Sequence, residues 1–187
     1  SPWGYETINR WTPDAIDPNR SFNQDTEVEE CRYLMNYVGD LNISILCHID
    51  LHETTDTDNS EFRPALEARD GVEQALWEIP DGFYSVGDSA KPEPAFQKAI
   101  IDAVEQVTHI APSDANGYLI GTKTEQRGVI NYPLESLGLC GAFTGAPFVS
   151  TTEVYPDSPL ADDENCILAQ IAAVCGALNY LRIHNLS

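Results

Sequence analysis

The run Asn42–Leu51 (NISILCHIDL) constrains the fold most. It is short, rich in Ile and Leu, preceded by Gly39-Asp40 and followed by the polar stretch His52–Arg63. That pattern predicts a strand buried within a sheet. Phe148–Val154 (FVSTTEV) predicts a second strand, from its β-branched and aromatic content. Three helices are predicted around them. The first starts near Thr26, where Thr26 and Glu29 have capping-box spacing. Val28, Cys31, Leu34, Met35 and Val38 repeat at helical intervals, and Gly39 is the expected stop. The second covers Pro92–His109, with Phe96, Ala99, Ile100, Ala103, Val104 and Val107 on one face. The third, Glu164–His184, is apolar over much of its circumference and is expected to be well buried. Strands alternating with helices predict an α/β layered domain. Residues 1–24 read as irregular chain with turns at Thr12-Pro13-Asp14 and Asp17-Pro18-Asn19. Residues 64–91 show no clear period. Asn116–Gly121 reads as a short strand and the glycine-rich 121–147 as a long surface loop.

The length, 187 residues, fits one domain. Lys and Arg total 10 against 30 Asp and Glu, a formal charge of -20. No Lys/Arg cluster exists to neutralise phosphates, so nucleic acid is not an expected partner, and an anionic membrane surface is disfavoured for the same reason. No apolar run is expected to reach the roughly 20 residues of a bilayer span. An anionic substrate would be repelled at long range, so its site must rest on a few local arginines. The cysteines (Cys31, Cys47, Cys140, Cys166, Cys175) are odd in number and widely spaced, with no C-x-x-C. They read as buried thiols in a reducing compartment, which makes the cytoplasm the expected location.

Three constellations could carry chemistry. His48 and His52 lie about 13 Å apart on a strand at roughly 3.3 Å per residue, too far to share one ion. His52 stands where the apolar strand meets a polar loop, the place where α/β sheets bind ligands, and is either a ligand or a structural histidine. Asp17-Pro18-Asn19-Arg20 sets an amide beside a guanidinium fork, suited to a carboxylate or simply to a neighbouring acid. Glu153, at the end of the second strand, is either a partly desolvated general base or a carboxylate facing water. His52-Glu-Thr-Thr-Asp56 is one residue short of H-E-x-x-H and lies on no helix, so it is not a zincin motif. Asp56–Glu61 lacks the turning glycine of a calcium loop and reads as a solvated acidic loop.

WGYE at 3–6, Asn9-Arg10, DPNRSFN at 17–23, HIDLHETT at 48–55 and TTEVYP at 151–156 occur in one order. In that order the chain resembles the zinc carboxypeptidase superfamily, including its succinylglutamate desuccinylase/aspartoacylase branch, from about Pro2 to Leu181. The resemblance implies a three-layer α/β/α sandwich around a mixed sheet and a zinc ion. It implies His52 as a zinc ligand, Glu153 as the catalytic base and Asn19 and Arg20 as the grip on a substrate carboxylate. Arg10 would steady the oxyanion and Tyr132 would cover the bound substrate. The family's other zinc ligands form a His-x-x-Glu motif upstream of the W-G-Y-E segment. Here that segment starts at Trp3, and the residues three after His48, His52, His109 and His184 are Leu51, Thr55, Pro112 and Ser187. The expectation is therefore a single catalytic domain over 1–187 whose N-terminal part is missing. The activity implied is that of a zinc-dependent metallopeptidase of carboxypeptidase type, which hydrolyses an amide beside a free carboxylate in a small peptide. The alternatives are an N-acyl amino acid deacylase and a metal-free carboxylate-binding domain.

Overall fold

The structure, a computed structural model, describes residues 1–184. The chain divides into two compact units. Unit 1 comprises Ser1–His48 and Pro133–Val149; unit 2 comprises Ile49–Tyr132 and the chain from Ser150 onward.

Unit 1 contains α1 (Pro2–Thr7), a 3-10 turn at Pro18–Arg20, α2 (Glu29–Asp40) and a second 3-10 turn at Cys140–Ala142. α1 replaces part of the irregular chain expected over 1–24. Pro2 in its first turn costs no hydrogen bond, and the Ser1 hydroxyl accepts from the Gly4 amide. The capping box at Thr26 does not form. The Thr26 hydroxyl accepts from the Val28 amide, so the helix starts at Glu29. Gly39 lies inside α2 rather than stopping it. Val28, Cys31, Leu134 and Leu139 are buried in this unit, and Phe22 stacks on Phe143 with ring centroids 5.4 Å apart.

Unit 2 is built on the sheet. The sheet's strands are β1 (Cys47–Glu53), β2 (Tyr84–Asp88), β5 (Val129–Tyr132) and β6 (Phe148–Val154), in the order β1-β6-β2-β5, and unit 2 holds all of them but Cys47–His48 and Phe148–Val149. β1, expected as a buried strand over Asn42–Leu51, lies at the sheet edge with no residue buried. β2 runs parallel to β5 and antiparallel to β6, so the sheet is mixed. β3 (Tyr118–Leu119) and β4 (Thr122–Lys123) form a separate hairpin. Hence the loop expected over 121–147 holds two strands and a 3-10 turn, and the turn-rich composition marks the short connections between them.

α3 (Arg63–Asp70), α4 (Pro94–Val104) and α5 (Asp163–Ile183) complete unit 2. α4 buries Phe96, Ile100 and Val104, which its periodicity marks out, together with Gln97 and Ile101, which it does not. α5 meets it through small residues. A Cβ on Gly176 would stand 2.8 Å from both the Ala103 Cβ and the Ala99 carbonyl oxygen, so the close approach needs glycine there. α5 is less buried than expected. Ala169, Ala173, Ala177 and Leu181 are covered, whereas Ile167, Ile171 and Leu178 are exposed, Ile171 by 53%. By length and composition alone α5 could also cross a bilayer, contrary to the expectation that no such run exists.

β2 is the buried middle of the sheet. The Ser85 and Ser150 hydroxyls both donate to Gln97 Oε1, at 3.0 and 2.9 Å. These three side chains are buried, and each hydroxyl has the acceptor that its burial requires. Gly87 fits where any Cβ would fall 2.4 Å from Asn131 Oδ1.

Candidate active site

In unit 2 the sheet register brings His52 and Glu153 together. β6 lies between β1 and β2, and Glu153 pairs directly with Tyr84. Asp50 and His52 are two residues apart on β1 and so share one face. His52 Nε2 lies 3.0 Å from Asp50 Oδ2, and His52 Nδ1 lies 3.9 Å from Glu153 Oε1. The His52 side chain is 28% exposed and that of Glu153 14%, so both reach solvent from a largely covered position. The Gln170 amide donates to the His52 carbonyl at 2.8 Å and fixes the backbone at that point.

The proton inventory is informative. The Thr54 hydroxyl donates to Glu153 Oε2 at 3.0 Å. Its single proton is then used, so the contact of 2.8 Å between Thr54 Oγ1 and the Tyr84 hydroxyl has Tyr84 as donor. The chain Tyr84 to Thr54 to Glu153 holds Oε2 and leaves Oε1 on the imidazole side. Burial pushes the Tyr84 phenol well above its ordinary pKa, and the Glu153 charge adds to the shift. Tyr84 therefore stays a neutral donor.

The same geometry bears on a metal. The Asp50 carboxylate beside Nε2 favours a proton on that nitrogen, and a neutral His52 so protonated presents the Nδ1 lone pair toward Glu153. A carboxylate behind the imidazole is the usual support of a metal-ligating histidine. His52 thus fits the role of one ligand. Zinc sites use three or four protein ligands, and among the described residues no group of three His, Cys, Asp or Glu side chains could hold an ion. Among the described residues there is thus one histidine suited to a metal beside one carboxylate, and no complete metal site.

The other candidate residues fall as follows. Tyr132 ends β5 and is half-buried. In unit 1, Arg10 Nη2 lies 3.2 Å from Asp17 Oδ2, and Asp17 is buried. The other Asp17 oxygen caps the 3-10 turn by accepting from the Asn19 amide at 2.9 Å. The Arg20 guanidinium donates to the Asn19 carbonyl at 3.0 Å and is exposed. The Asn19 side-chain oxygen accepts from the Cys140 amide at 3.4 Å, which turns the amide nitrogen away from that contact. One buried carboxylate thus organises the Asp17-Pro18-Asn19-Arg20 turn and Arg10 together.

Asp50, Thr54 and Tyr84 were not singled out from the sequence. Asp50 carried a local signal, since i and i+2 share a strand face. Thr54 and Tyr84 carried none, because their roles depend on which strands pair.

No protein-family model matches the chain, and no curated protein matches it. Several solved structures resemble it, two candidate metallopeptidases among them. A candidate metallopeptidase from Shewanella amazonensis SB2B is 21% identical, with a TM-score of 0.62 over 97% of this chain and 61% of its own. A candidate metallopeptidase from Shewanella denitrificans OS217 is 18% identical, with a TM-score of 0.60 over 96% of this chain and 58% of its own. The chain thus spans about three fifths of the length of each. At these identities the likeness is one of fold: the chain has the mixed α/β architecture of these metallopeptidase-like proteins, a mixed central sheet flanked by helices.

Proposed function

We propose that this chain is the base-bearing part of a zinc-dependent metallopeptidase of carboxypeptidase type. The observation that carries the reading is the His52–Glu153 pair, with Asp50 behind the imidazole and Thr54 behind the carboxylate. The fold shared with the two candidate metallopeptidases supports it.

Glu153 is the general base in this reading. Oε2 is held by Thr54, and in this reading Oε1, on the imidazole side, takes a proton from the attacking water. The same oxygen returns the proton to the leaving amine as the amide bond breaks. General acid–base catalysis of this kind contributes on the order of 10²–10⁴ in rate. The Asp50 carboxylate, 3.0 Å from Nε2, favours the His52 tautomer whose Nδ1 can bind a cation. A bound zinc ion would supply Lewis acidity, polarising the scissile carbonyl and making water nucleophilic at neutral pH. Asn19 and Arg20 grip the substrate's free carboxylate through the amide and the guanidinium fork. Arg10 steadies the oxyanion, and Tyr132 covers the substrate.

The test uses the full-length protein with zinc supplied. A panel of short peptides and N-acyl amino acids, with and without a free carboxylate, is assayed before and after chelation. Cleavage is expected to need zinc and the carboxylate, and to favour peptides. Glu153→Gln should lower kcat by about a hundredfold or more while zinc content is unchanged. Hydrolysis at the wild-type rate in Glu153→Gln, or in chelated protein, overturns the proposal. Preference for N-acyl amino acids would select the deacylase instead.

A further inference from the structure

A second chemically competent pair lies wholly within unit 1. His48 Nε2 is 3.9 Å from Cys140 Sγ, within hydrogen-bonding reach for sulfur. The imidazole is held from two further directions. Its Nδ1 lies 3.1 Å from the Thr144 hydroxyl, and the Phe143 ring meets it edge-on at 5.3 Å and 80°. Thr144 is itself fixed, because its oxygen accepts from the Ala146 amide at 3.4 Å. Cys140 is held through its backbone amide, which donates to Asn19 Oδ1. With Nδ1–H donated to Thr144, the Nε2 lone pair faces the thiol. Both Cys140 and His48 are half-buried, so the pair can be reached from solvent.

The remaining cysteines set the contrast. All five are free thiols. Burial pushes the Cys47 thiol up to about 11, and burial also raises those of Cys31 and Cys166. Cys175 is exposed on α5 and serves as an accessible reference. Thiolate, not thiol, is the nucleophile, and a neighbouring imidazole is the standard means of forming it near neutral pH.

We propose that Cys140 and His48 form a thiol–imidazole pair that captures low-molecular-mass disulfides. His48 Nε2 takes the proton from Cys140 Sγ. The sulfur attacks one sulfur of the disulfide R–S–S–R, the Cys140 Sγ–S–R bond forms and the S–S bond breaks. The departing RS⁻ takes the proton back from His48 and leaves as RSH, so Cys140 is oxidised and the leaving half is reduced. The adduct stands beside Asn19, whose side chain is bonded to the Cys140 amide. This inference does not rest on the hydrolase reading.

The experiment treats the full-length protein with 2-hydroxyethyl disulfide. The reagent is neutral, so the charge of -20 neither attracts nor repels it. Peptide mass spectrometry follows all five sites with time at pH 6.5, and iodoacetamide gives an independent rate. Cys140 is expected to react about tenfold faster than Cys175, because the neighbouring imidazole raises the share of the reactive thiolate. His48→Gln should slow Cys140 about tenfold and leave Cys175 unchanged. A Cys140 rate no greater than that of Cys175, or an unchanged rate in His48→Gln, overturns the proposal. If circular dichroism shows His48→Gln to be unfolded, Thr144→Val replaces it: it frees the imidazole, and an unchanged Cys140 rate there counts against the pair.

Discussion

Replacing Thr54 by Val probes the hydrogen-bond chain that holds the candidate base. Tyr84 is 1% exposed, and its hydroxyl donates to Thr54, which donates to Glu153. Thr54→Val keeps the branched shape but leaves the Tyr84 hydroxyl buried without its acceptor, a cost of about 1–3 kcal/mol. Glu153 loses a donor as well, but its side chain is 14% exposed and water can replace that bond. Tyr84→Phe alone removes only the upstream donor and should cost about 0.5–1.5 kcal/mol. In the double variant no hydroxyl is orphaned. It should therefore be more stable than the two single losses added together, by about 1–2 kcal/mol, since removing both partners of a buried bond is cheaper than removing one. Urea unfolding followed by tryptophan fluorescence measures all four proteins of the cycle. Losses that add to within about 0.5 kcal/mol would mean that the two side chains are uncoupled, and the argument for a held Oε2 would fail.

Arg20→Lys keeps the charge and loses the planar fork, so KM for carboxylate-bearing substrates should rise; an equal rise for substrates without the carboxylate would contradict the assigned role. Gln97→Leu orphans the Ser85 and Ser150 hydroxyls, both fully buried. It should cost about 2–6 kcal/mol, with partial recovery in a variant that also carries Ser85→Ala and Ser150→Ala; thermal unfolding reads both. A hydrogen bond from Ser158, then one with His109, holds the Asp81 carboxyl below its usual range, against its partial burial. A depressed folded pKa stabilises the protein above the unfolded value near 3.9 and loses that effect as pH falls through the folded one. The Tm gap between wild type and Asp81→Asn should therefore be present at pH 6 and shrink as pH falls below the unfolded value near 3.9; a gap that widens in acid would contradict this.

The parts of the fold that local pattern can encode were legible. β6, the buried face of α4 and the long α5 follow from periodicity and β-propensity within single segments. The run expected as a buried strand over Asn42–Leu51, by contrast, forms a strand only from Cys47 to Glu53, at the sheet edge and with no residue buried. β2 was not legible, although it is the buried middle of the sheet. Its Ser85 and Gly87 look like loop residues, and they make sense only once Gln97 accepts from one and Asn131 crowds the other. The exposed face of α5 misled for the opposite reason, since apolar content says that a face can be covered, not that anything covers it.

Taken alone, the sequence determined which chemical groups are available: an imidazole at the polar end of one apolar strand, a carboxylate at the end of another, and a turn carrying an amide and a guanidinium. Tertiary structure decided which of them meet. His52 and Glu153 come within 3.9 Å because β6 lies beside β1, and Glu153 is held because the β2 register sets Tyr84 opposite it. Register is a non-local choice, made by the summed packing of whole strands, and a slip of one residue would turn both side chains to the other face.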